Sequence, residues 1–186
     1  MTFSIPGFAE PASSFTHLLG AGVAAVAGVF LLWRGRGNRL RVGALAVFVF
    51  GVVLLLAVSG TYHSIDPVSG ERIVMRHLDH AAIWILIAST FTPLHILLLR
   101  GGWRWGMLAA IWGGAIAGIC LELFFLESIP HWLIVLCFLV LGWMGAISAW
   151  HIKRVRGGAA IAGVIRGGIA YSVGAAIEAL GAPTLI

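Results

Sequence analysis

A serine, a histidine and an aspartate stand at the ends of two long apolar runs. Ser59 and His63 are one helical turn apart, an i, i+4 spacing that puts both on one helix face. Asp79 stands where the next apolar run opens, and the intervening stretch 64–78 is short and polar. Both run ends are therefore expected at one membrane surface. Ionisable groups at such depth cost free energy and point to function by default. Imidazole suits zinc, and a catalytic zinc keeps one position open for a water whose pKa falls to about 7. In such a site Asp79 orients the water or takes its proton. Ser59 holds the water or stabilises an oxyanion. Ser/His/Asp nucleophilic hydrolysis is the less favoured chemistry, because no GxSxG elbow occurs. The plain alternative, left open by pattern alone, is a structural or interfacial histidine.

The elements that must position these residues follow from composition. The 186 residues are 60% hydrophobic and only 10% charged, with a mean hydropathy of +1.02. Soluble domains carry about 25% charged residues. A chain this apolar is expected to be an all-α polytopic membrane bundle, a single domain over 1–186. A bilayer core takes about 20 apolar residues per helix. Six runs qualify: 14–33, 40–63, 79–99, 104–125, 131–150 and 162–182. Small residues crowd 20–28, 113–118 and 157–176, where they let helices approach closely. Pro93 is expected to kink the third run, with Thr90 or Thr92 satisfying a freed carbonyl. The N-terminus lacks the basic region of a signal peptide. Cys120 and Cys137 read as buried small hydrophobes rather than a disulfide or metal pair.

Charge divides the chain into two poles. Loops 34–41, 100–104 and 151–161 hold nine Arg/Lys residues and no acid, and Arg166 snorkels the same way. The other pole holds Arg72 and Arg76 with Asp66 and Glu71, and gathers His17, Ser59, His63, Asp79, Glu122 and Glu178. The net charge of +5 thus sits in short loops, where it sets topology and meets lipid head groups. Membrane lipids, not nucleic acid, are the expected partners. The charge bias places the basic pole in the cytoplasm and the Ser59/His63/Asp79 pole outside. His80 is expected on another helix face or at the interface. His95 and His131 read as interfacial, and His151 as a residue of the basic loop. Glu122 and Glu178 read as caps at head-group level. Tyr62 and most of the tryptophans read as interface anchors.

Five segments in order resemble the bacterial hemolysin III family of the progestin and adipoQ receptor group. They are EPASSFTHLLGA (10–21), SGTYH (59–63), RHLDHAAIWILIASTFTP (76–93), GWMGAIS (142–148) and GGIAYSVGAAIE (167–178). Glu10, Ser13 and His17 fall on the family's first-helix motif, where Ser13 replaces a usual Asn. The resemblance implies seven helices. It also implies a zinc held by the second-helix histidine and by an H-x-x-x-H pair on the seventh. His63 matches the first of these ligands, and Asp79 and Ser59 match the groups near the metal's water. No H-x-x-x-H occurs in this chain. That leaves either a chain cut before a seventh helix or a six-span protein without the complete site. The wider ceramidase-like superfamily includes amide hydrolases, so the resemblance implies a lipid-directed hydrolase with a role in membrane-lipid homeostasis. A bacterial inner-membrane location goes with it. A receptor-like or cytolytic, pore-forming protein is the alternative, although the polar residues form no stripe along any helix. The receptor members imply a cytosolic zinc face, against the charge rule.

Overall fold

A computed structural model describes residues 9–125 and 128–179, and every regular element among them is helical. They are α1 (Pro11–Arg34), α2 (Arg39–Ser64), α3 (Glu71–Leu98), α4 (Gly101–Phe125), α5 (His131–Arg156), a single 3-10 turn (Gly158–Ile161) and α6 (Ala162–Ala179). The first five are each long and apolar enough to cross a membrane. The chain is a helical membrane bundle. The end of the expected sixth span, 180–182, and the side chain of Glu178 lie outside the described residues.

Local chemistry sets the breaks. Pro11 opens α1, where its missing N–H costs nothing. Asn38 caps α2, its Oδ1 accepting from the Arg41 amide at 3.0 Å. Gly157, at φ +88°, ends α5 in a conformation that disfavours side chains. The third helix departs from the sequence expectation. It begins at Glu71, eight residues before Asp79. The polar stretch ERIVMRHL is helical because helices continue past the hydrocarbon layer, where water and head groups satisfy charged side chains.

Helix α3 is the central post, packed against α2, α4 and α5, while α1 leans on α2 and α6 on α5. Its core layer joins Trp84, Ile87 and Phe91 to Ile111 of α4 and to Phe138 and Leu141 of α5. Gly118 lets the Trp84 ring lie against the backbone of α4, where a Cβ would collide with it. Gly60 does the same for Leu18 between α2 and α1. The outer faces are apolar, with Leu19, Phe30, Ile147 and Ile169 among the exposed side chains. Lipid tails are the solvent that suits this surface.

Several expectations need correction. Cys120 is exposed on the lipid-facing side of α4 rather than buried, and neither cysteine is bonded to another. Apolar residues in a membrane bundle are as content facing lipid as facing the core. The hydroxyls of Thr90 and Thr92 donate to Leu86 and Ala88, not to Ser89, the carbonyl that Pro93 deprives of its helical donor. His151 lies on the last turns of α5, stacked on Trp103, rather than in a loop.

Candidate functional site

The polar pole is built by three helix ends. The first turns of α1 are fastened to the last turn of α2 by backbone and side-chain bonds. The Glu10 amide donates to the His63 carbonyl at 3.0 Å. Ser14 Oγ, fully buried, donates to the Gly60 carbonyl at 2.8 Å. Glu10, Ser14 and His17 follow an i, i+4, i+7 spacing, so the start of α1 turns all three towards α2.

Glu10 carries the charge of this corner. One carboxylate oxygen lies 2.8 Å from His63 Nδ1, an ion-pair distance approached off the hydrogen-bond axis. The other accepts from Arg72 Nη2 of α3 at 3.1 Å. Arg72 also donates to the Ile65 carbonyl at 2.6 Å and lies over the Tyr62 ring at 4.6 Å. Glu10 thus sets a carboxylate against the Nδ1 side of the His63 ring, and that nitrogen makes no hydrogen bond among the described residues. His17 Nδ1 does make a hydrogen bond, donating to the Ser13 carbonyl at 2.7 Å. The two imidazoles are neighbours, with ring centroids 5.5 Å apart.

Asp79, on the third turn of α3, turns towards α2. Its side chain interacts with Ser59, and the imidazoles of His80, His63 and His17 act on it electrostatically. Its Oδ1 is out of contact with solvent, and no group among the described residues hydrogen-bonds it. A buried, unpaired carboxylate oxygen is costly and is the sign of a site waiting for a donor or a cation. Ser59 is itself 6% exposed. Ser59, His63 and Asp79 therefore lie at one corner of the bundle with Glu10 and His17. Ser13 contributes its backbone carbonyl rather than its hydroxyl.

A second polar cluster lies on the next face of α3. Glu122 of α4 is 1% exposed. It takes His80 Nδ1 on one oxygen at 3.1 Å and Trp84 Nε1 on the other at 3.0 Å. This corrects the reading of Glu122 as a head-group cap, because a helix–helix contact covers it. His80 does lie on another face, as expected, but paired. His95 is also corrected. It is fully buried between α3 and α5, with Nε2 at 2.8 Å from Ser148 Oγ. His131 is exposed at the start of α5.

The pole supplies the imidazoles of His17 and His63 and one unpaired carboxylate oxygen on Asp79, donor types that suit zinc. Among the described residues no three His, Cys, Asp or Glu side chains converge on one point. Sequence reasoning missed Ser14 and Arg72. The i, i+4 step from Glu10 was the available signal for Ser14. Arg72 became visible only with the true start of α3, which sets it two turns before Asp79.

Comparison with known proteins bears on the whole chain. The sequence model of haemolysin-III-related proteins matches residues 8–184. The chain belongs to that family. A Hemolysin-3 of Bacillus cereus is 34% identical over 168 residues, covering 89% of this chain and 76% of that protein. A Hemolysin-3 homolog of Bacillus subtilis (strain 168) is 33% identical over 167 residues, 89% of this chain and 78% of the other. This haemolysin-III-related chain is thus a multi-pass membrane protein whose matched region contains all of Glu10, His17, Ser59, His63 and Asp79.

Proposed function

We propose that the polar pole is a zinc-dependent hydrolytic site acting on a membrane-lipid amide or ester, and that its work is membrane-lipid homeostasis. The observation that carries this reading is Asp79 Oδ1, buried and unpaired beside Ser59 and the Glu10-held His63. Zinc, when bound, lowers the pKa of water to about 7 and polarises a carbonyl oxygen.

The chain's own residues do the rest. His63 would offer Nε2 to the metal, with the Glu10 carboxylate against the Nδ1 side of its ring and Arg72 holding Glu10. Asp79 accepts the proton of an attacking water and returns it to the leaving group. Ser59 donates a hydrogen bond to the oxygen on which charge develops. An apolar cavity of about 540 Å³ supports a lipid substrate. Phe48, Leu86, Phe91, Gly145, Ile169 and Tyr171 are among its lining residues. Leu86 lies seven residues beyond Asp79, roughly 10 Å along α3, within the reach of an acyl chain.

The test is hydrolysis of a fluorescent lipid amide by the purified protein. Wild type with zinc is expected to release product, and Asp79→Asn is not. Equal turnover in both sinks the reading. Cytolysis, the second reading, draws on the names of the Bacillus relatives. Liposome leakage that survives both Asp79→Asn and His63→Ala would favour it. The charge bias further supports a cytoplasmic basic pole, tested by a reporter at 35–38. Signal from outside the cell at that loop overturns the orientation.

A further inference from the structure

The basic pole has a local organisation that charge counting does not reveal. Where the start of α4 meets the end of α5, the Trp103 ring stacks on His151, centroids 4.3 Å apart and 17° from parallel. One turn along α5, the Arg154 guanidinium lies 3.8 Å above the Trp150 ring. Stacking orders a guanidinium while leaving its in-plane N–H fork free, and that fork matches phosphate geometry. Lys153, next to it on α5, is exposed, and so is Arg100, just before the start of α4. Arg104 is half-buried, its Nε fixed on the Leu99 carbonyl at 2.9 Å. No Asp or Glu occurs in loops 34–41, 100–104 or 151–161, and among the described residues these cations have no carboxylate partner. Beside Trp103 lies a shallow recess of about 360 Å³, formed with Gly102, Gly106 and Met107.

We propose that this corner is a binding seat for the headgroup of an anionic phospholipid. The occupant must combine a negative head with an apolar tail. The cations lie at the ends of membrane-spanning helices, and the neighbouring outer surface is apolar, with Trp105 and Val155 more than half exposed. A nucleic acid or a free anion matches the cations but not that apolar flank. The phosphate takes the Arg154 fork and the Lys153 ammonium, and the glycerol backbone rests on Trp103 in the recess. The seat lies at the opposite end of the bundle from Asp79 and does not depend on what happens there.

The experiment is native mass spectrometry of the full, delipidated chain with equal amounts of phosphatidylglycerol and phosphatidylcholine. Wild type is expected to retain the anionic lipid preferentially. K153Q/R154Q is expected to lose that preference by about fivefold per charge removed. R34Q/R36Q removes the same charge at the end of α1 and is expected to change it by less than about twofold, since distant charges are screened. R100Q gives a second local variant, and melting in zwitterionic micelles confirms that each variant is folded. Unchanged preference in both K153Q/R154Q and R100Q overturns the seat. So does equal loss in the α1 pair, which means diffuse charge alone. Adducts of inorganic phosphate without a lipid preference reduce it to plain anion binding and also overturn it.

Discussion

At the pole that holds Asp79, charged groups are tied to one another across helices. At the other pole the cations meet rings and backbone carbonyls but no carboxylate among the described residues. Glu10 bridges α1 to His63 of α2 and Arg72 of α3, and Glu122 bridges α4 to His80. The basic pole offers Arg34, Arg36, Arg39, Arg41 and Lys153 to solvent, all exposed. Cross-helix pairing fixes atoms in place and belongs to chemistry that needs geometry. Exposed charge at the head-group surface sets orientation by sign, and acquires geometry only where a ring orders it, as Trp150 orders Arg154. The same contrast separates two histidines. His63 sits part-exposed in a charged network, whereas His95 is sealed in the core on a serine hydroxyl. Only the first can present a nitrogen to a ligand entering from the membrane surface.

Substitutions at the two poles are accordingly expected to differ in kind as well as in size. The largest effect is expected from Asp79→Asn, which keeps the shape but removes the proton acceptor. Hydrolysis should fall roughly 10³-fold, within the range for a lost general base. A variant of the basic pole such as Arg41→Gln should leave it unchanged.

Next comes Glu122→Ala. It strips a nearly fully buried carboxylate from both His80 and Trp84. Breaking a buried pair costs about 3 kcal/mol or more, read from reversible unfolding in mixed micelles. A change under about 1 kcal/mol would mean that the clasp does not join α3 to α4. Ser14→Ala deletes one buried hydrogen bond to Gly60 and should cost about 1 kcal/mol. Its effect on turnover should be larger than its effect on stability if α1 positions His17 and Glu10. Smallest is Arg36→Gln, an exposed residue 5.8 Å over Trp33, expected within about 0.5 kcal/mol in the unfolding assay.

The architecture was legible because hydropathy reports what a helix is dissolved in. Five of the six expected runs became helices long enough to span, at nearly the expected places. Hydropathy is silent on how far a helix continues into water, and so it missed the first eight residues of α3. It is equally silent on which apolar neighbour covers a polar residue. Glu122 and His95 looked interfacial because they stand near run ends, yet Trp84 and Ser148 cover them from adjacent helices. Ser59, His63 and Asp79 were legible as a group because an i, i+4 step and a short connection constrain them without tertiary information. The Glu10–Arg72 contact, 62 residues apart in sequence, was not.

The central claim is that His63, held by Glu10, is a zinc ligand beside Asp79. The most direct test is zinc content of the purified protein, measured by atomic emission for wild type, His63→Ala and Asp79→Asn. The account predicts about one zinc per chain in wild type, retained zinc in Asp79→Asn, and its loss in His63→Ala. Full zinc occupancy in His63→Ala, or no zinc in wild type after metal loading, would contradict it.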